Sequence, residues 1–178
     1  MMAASHIVVA ASSYAALAVL AQDLPLDVWH LCLAGLGALV PDIDHRQSTL
    51  GTRLWWLSPL VAVLCGHRGA THSLLAAFLA AGLAGGVMLY AGIPFSGLAA
   101  FVCGYLSHIA ADWSTARGVP LFWPLKRRFR APWAFPGGGL REFLVVTGFA
   151  LFLAWRLNWL GRILERLGQV LERFGPAS

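Results

Sequence analysis

Pro41-Asp42-Ile43-Asp44-His45-Arg46 and, further on, His67-Arg68-Gly69-Ala70-Thr71-His72-Ser73 carry two carboxylates and three imidazoles into an otherwise oily sequence. Apolar runs flank them, Leu31 to Val40 before and Leu74 to Tyr90 after, so these polar groups fall where a hydrophobic segment meets water. Ionisable side chains at that boundary are costly to place and mark sites. Mixed oxygen and imidazole donors suit zinc, manganese or iron, whereas calcium takes oxygens alone. The stretch therefore reads as a divalent-metal site at a membrane face.

Composition points the same way. A soluble chain averages ~45–50% apolar and ~25% charged residues; here 58% are hydrophobic and 12% charged, with eight Trp and 178 residues in all. Mean hydropathy is +0.69. The expected fold is an all-α integral membrane helical bundle. Cys32, Cys65 and Cys103 are isolated and odd in number, so they read as small apolar packing residues rather than disulfides or thiolate ligands. The N-terminus lacks the basic stretch of a signal peptide, which keeps residues 1–22 in the expected mature protein.

About five spans are expected, since a crossing takes ~20 apolar residues, range ~17–25. They are Ile7 to Ala21 with Ser5 and His6, Val28 to Val40, Ser73 to Gly92, Leu98 to Asp112, and Phe143 to Trp159. Leu54 to Cys65, with Pro59 inside, is too short and reads as a re-entrant or interfacial segment. Residues 113–141 form a basic, aromatic, Pro- and Gly-rich loop. Beyond them, Leu160, Leu164, Leu167, Leu171 and Phe174 alternate with charged residues at helical spacing, giving a C-terminal amphipathic helix or a short coiled-coil seam. The chain thus divides into a membrane-embedded domain over 1–160 and a C-terminal helix and tail over 161–178.

This threading gathers the polar groups. His6 opens the first span, Asp42, Asp44 and His45 close the second, His72 opens the third, His108 and Asp112 close the fourth, and Glu142 opens the fifth. His30 alone falls opposite and reads as an interfacial residue. The expected metal ligands are His6, Asp42, Asp44, His72, His108 and Asp112, with His45 and His67 beside them. Simpler roles stand next to these: Asp42 and Asp44 can end a span, Thr71 or Ser73 can cap the next, and Glu142 can pair with Arg141. Nine of the thirteen Lys and Arg lie on the site-bearing face and four beyond the last span, so the site is expected on the cytoplasmic side. Lys126, Arg127, Arg128 and Arg130, set among Trp123, Phe129 and Trp133, suit anionic lipid headgroups; no motif that reads nucleic acid accompanies them.

At these residues the sequence resembles the bacterial LexA-regulated, membrane-bound metal-dependent hydrolase family. The match runs over about residues 5 to 145: His6, Leu39 to His45, Gly66 to Leu75, Gly104 to Asp112, Gly118 to Pro124, Arg128 to Arg130, and Glu142. The resemblance implies a multi-pass protein of the bacterial inner membrane with metal-dependent hydrolytic activity. A fainter likeness is to zinc-dependent phospholipase C, in which His and Asp from several helices hold zinc. It implies His6, Asp42 or Asp44, His72, His108 and Asp112 as ligands of one or two ions, with Asp112 able to bridge.

The expected chemistry is hydrolysis of an ester or phosphoester, lipid-linked, with bound zinc (or manganese) bringing the pKa of water to ~7. Asp44 or Glu142 would take the proton, and Arg68 would hold the substrate's phosphate. The alternative is a non-catalytic membrane protein whose metal ties span ends together, in the DNA-damage (SOS) response that the family name suggests. Oligomeric state is open at this level.

Overall fold

A computed structural model describes residues 2–65, 69–125 and 127–158, the side chains of 64 and 65 aside. His67, Arg68, Lys126 and the expected C-terminal helix over 161–178 lie outside the described residues. The regular elements are helices: α1 (Ala3–Ala21), α2 (Val28–Leu39), α3 (Thr49–Arg53), α4 (Ser58–Cys65), α5 (Leu74–Tyr90), α6 (Phe95–Trp113) and α7 (Leu140–Arg156), with short 3-10 turns at Pro41–Asp44 and Ala70–His72. Among the described residues there is no strand, only isolated bridges Thr115↔Phe135 and Val119↔Phe129 within the long loop.

Local chemistry sets the ends of these helices. Ala-rich α1 is made of the strongest helix former and stops where Gln22 turns to a φ of 49°. Asp27 caps α2 by accepting from the His30 amide, and Ser73 caps α5 by accepting from the Ala76 amide. Of the two candidate caps for α5, Thr71 is used otherwise. Helix α3, which the hydrophobic pattern does not announce, is nucleated by Ser48: its hydroxyl accepts from Gly51 and donates to the Asp42 carbonyl.

The core is a three-helix contact of α1, α2 and α6, with α5 laid on α6 and α7 on α1. Small residues let α2 and α6 touch backbone to backbone: a Cβ on Gly37 would overlap the Phe101 carbonyl, and one on Gly104 would overlap the Ala34 carbonyl. Around that seam Tyr14, Phe101, Tyr105 and Ile109 are buried. Helices α1 and α7 run parallel, because the Ser5–Glu142 and Ser12–Phe149 hydrogen bonds advance seven residues on both.

By length and composition α1 is the one described helix apolar enough to cross a membrane unaided; α5 is apolar but 17 residues long. The five-span expectation therefore meets one self-sufficient span. Helix α4, with eight residues, rises only ~12 Å against a hydrocarbon core of ~30 Å. It packs on the Pro41–Asp44 turn, as a re-entrant or interfacial piece would, so the turns before and after it stay at the same end of the bundle. The long loop folds back there too: Ala131 donates to the Trp113 carbonyl, Leu121 accepts from Leu74 at the start of α5, and Val119, Ala131 and Phe135 are buried.

Candidate metal centre

Two helix ends and two 3-10 turns deliver imidazoles and carboxylates to one point. His72 Nε2 lies 3.2 Å from His108 Nε2, 3.7 Å from Asp42 Oδ1 and 3.6 Å from Asp112 Oδ2. His108 Nε2 lies 3.7 Å from Asp42 Oδ1 and 3.9 Å from Asp112 Oδ2. The other oxygen of Asp112 is 3.6 Å from His6 Nε2, and the His6 and His108 rings stack at 3.8 Å. Two overlapping donor groups result, His6–His108–Asp112 and Asp42–His72–His108. A tetrahedral sphere with zinc bonds of ~2.0–2.2 Å has edges of about 3.3–3.6 Å, so these separations fit donors around an ion. The two inward nitrogens of His72 and His108 are within hydrogen-bond reach of each other, while the carboxylate oxygens stand further off, at 3.6–3.9 Å.

The outer nitrogens show how the rings are aimed. His108 Nδ1 donates to the Ala38 carbonyl at 2.6 Å, a reach that the Gly104–Ala34 contact one turn earlier permits. Thr71 spends its one hydroxyl hydrogen on Asp44 Oδ2, at 2.7 Å, and so accepts from His72 Nδ1 at 3.0 Å. Tyr105 in turn donates to the Thr71 carbonyl at 2.6 Å and pins that turn. Both rings thereby donate from Nδ1 and turn Nε2 inward, the atom a ligating histidine offers a metal once it is deprotonated. His6 differs, since its buried Nδ1 has no hydrogen-bond partner.

Electrostatics favour a cation at this point. Burial pulls the pKa of His72 down, but hydrogen bonds to Asp42 and Asp44 and the charge of Asp112 outweigh it and raise the value to about 9. Burial opposes ionisation of Asp42, yet the neighbouring imidazoles of His72, His108 and His6 hold its carboxyl below the usual range. The cluster is closed to solvent except at Asp42, whose side chain is 19% exposed.

Five of the six expected ligands thus meet: His6, Asp42, His72, His108 and Asp112. Asp44 does not join them. Its carboxylate faces the Nδ1 side of His72, 3.6 Å away, and accepts from Thr71, a position from which it supports that ring. Glu142 is likewise placed as a clamp: its oxygens accept from Ser5 at 2.8 Å, the Met2 amide at 3.3 Å and the Gly138 amide at 2.7 Å. His45 turns to the chain beyond, where its Nδ1 accepts from Gln47 at 3.1 Å. His30 sits at the far end as expected but is buried rather than interfacial, bonded to Asp27 and Ser96 and stacked on Tyr14. Thr71, Tyr105 and the Ala38 carbonyl are the supports that residue types alone did not reveal. The one signal was that Tyr105 precedes His108 by three residues on α6.

The inner membrane protein YdjM of Escherichia coli (strain K12) is 47% identical over 135 residues, covering 74% of this chain and 67% of that one. The uncharacterized protein YvsG of Bacillus subtilis (strain 168) is 36% identical over 117 residues, covering 65% and 70%. No solved structure matches. The family described as YdjM inner membrane protein matches residues 1–167, through α1 to α7 and all five converging donors. This chain belongs to the YdjM inner membrane protein family.

Proposed function

We propose that the chain is a multi-pass protein of the bacterial inner membrane that binds a divalent metal, zinc first and manganese second, and hydrolyses an ester or phosphoester of a lipid-linked substrate. The observation that carries this reading is the convergence of five imidazole and carboxylate residues as two overlapping donor triads, buried except for the partly exposed Asp42. Asp42, His72 and His108 would hold one ion, and the overlapping set of His6, His108 and Asp112 would hold a second or receive a proton; metal stoichiometry decides between those roles. Bound metal supplies Lewis-acid polarisation and lowers the pKa of water. Thr71, Asp44 and Ala38 keep the two ring nitrogens turned inward, and the buried walls exclude bulk water everywhere but at Asp42.

Names of the relatives support the inner membrane, and exposed Trp55, Trp56, Trp123 and Trp133 around the site end suit an aromatic belt at a membrane interface. Arg127, Arg128 and Arg130 on the same loop suit anionic headgroups, and the Lys and Arg bias supports a cytoplasmic-face reading of the site.

A structural ion is the second reading, favoured by the closure of the cluster to solvent everywhere but at Asp42. Metal analysis of purified protein, joined to a screen of lipid esters and phosphoesters, separates them. Turnover that vanishes on chelation and returns with zinc or manganese supports the hydrolase. Full metal content with no turnover across the screen rejects it in favour of the structural ion.

A further inference from the structure

Two cavities share a wall at the site end of the bundle. One is an apolar groove of about 680 Å³ between the parallel helices α1 and α7, lined along its length by Val8, Phe143, Val146, Ala150, Leu151 and Ala154. The other is a cavity of about 440 Å³ lined by Thr115, Arg117, Gly137 and Gly138, in which Arg117 is the one charged lining residue. Met2 and Gly138 belong to both. Both volumes lie in the ~300–1,000 Å³ range of small-molecule sites.

Their arrangement is that of an amphiphile. From Glu142 to Ala154 the helix α7 rises about 18 Å, close to the depth of one leaflet of a ~30 Å hydrocarbon core. The groove's polar wall, Ser5 and Glu142, lies at its site end, and the Glu142 charge is engaged by three donors there. Arg117 then supplies the positive charge just beyond, where a headgroup would emerge. The same end carries the metal centre, for Ser5 precedes His6 and Thr115 follows Asp112 by one helical turn.

We propose that the groove between α1 and α7 holds one acyl chain of a phospholipid whose phosphate lies in the pocket beside Arg117. This names the substrate class for the hydrolase reading and rests on α1 and α7 lying in the bilayer. Binding does not require turnover, so the two fail separately.

The test uses full-length protein in nanodiscs with phosphatidylglycerol bearing a diazirine at mid-chain, and diacylglycerol bearing the same tail. Photolabelling is expected to concentrate on α7 and α1 groove residues, with the phospholipid outcompeting the diacylglycerol. Ala150→Trp should cut groove labelling roughly tenfold, with metal content and melting temperature retained. Arg117→Gln should keep the tail labelled but remove the preference for phosphate; Thr147→Phe repeats the groove test should Ala150→Trp fail to fold. Labelling spread evenly over the outward faces of α5 and α7, or unchanged when the groove is filled, would overturn the proposal. Labelling confined to the groove in a protein without hydrolytic turnover would uphold the site and reject the hydrolase.

Discussion

The two ends of the helical bundle both bury histidine against aspartate, yet they do so at different distances. At the far end His30 Nδ1 meets Asp27 Oδ1 at 2.8 Å and His30 Nε2 meets Ser96 Oγ at 3.0 Å, so the ring is satisfied by ordinary hydrogen bonds. At the site end the carboxylate oxygens stand 3.6–3.9 Å from the inward Nε2 atoms of His6, His72 and His108. Short, matched pairs lock a fold; longer, convergent ones would leave room for an ion among them.

Removing ligands is the strongest way to break that contrast. The double variant His108→Ala, Asp112→Ala is expected to lose its metal altogether, while His30→Ala keeps full occupancy, as read by elemental analysis of purified protein. Retained metal in the double variant would mean that these donors do not hold it. Close behind comes Gly104→Ala, which pushes a methyl into the Ala34 carbonyl. Overpacking of that kind costs about 1–3 kcal/mol, and here it also shifts His108 from Ala38, so both melting temperature and metal content should fall.

Supports come next. Thr71→Val removes the hydroxyl that links His72 Nδ1 to Asp44, and losses of about 10–100-fold in metal affinity are usual for such partners. An unchanged affinity would show that His72 is aimed by packing alone. At the far end, His30→Ala should cost about 1–2 kcal/mol of stability for the lost hydrogen bonds, visible as a lower melting temperature at constant metal content. Acidity sharpens the comparison further. With His72 raised to about 9 by its carboxylate neighbours, a proton occupies the metal-free site at neutral pH. Binding must displace it, so metal retention should weaken steadily as pH falls below that value.

Helix ends explain why so much of the centre was legible. Asp42, His72, His108 and Asp112 each interrupt or close an apolar run, and a bundle with short turns has only two ends, so placing the runs placed the residues. Asp44 shows where that logic stops. Asp42 and Asp44 lie two apart on a turn, and sequence cannot say which carboxylate points at the rings; the 3-10 geometry of Pro41–Asp44 sends one in and the other behind His72. Span number is less legible for a related reason: α2 with 12 residues and α5 with 17 are shorter than a lone crossing takes, and hydropathy along one segment does not say whether neighbours make up the depth.

Glu142 gives the finest test, because it lies at the site end yet is bonded in the manner of His30. If distance sorts roles, its contacts at 2.7 and 2.8 Å to Gly138 and Ser5 make it a clamp that fastens α7 to the first turn of α1. Gln at this position keeps one carbonyl oxygen for Ser5 but turns an amide toward the Gly138 N–H, so one buried acceptor is lost. The cost should be about 1 kcal/mol of stability, with metal content unchanged and any turnover within a few-fold of the parent. A general base behaves otherwise: its removal lowers the rate about 10²–10⁴-fold while leaving the fold intact. A Glu142→Gln protein that melts normally but has lost turnover on that scale would return Glu142 to the chemistry and show that hydrogen-bond distance does not separate structure from function at this end of the bundle.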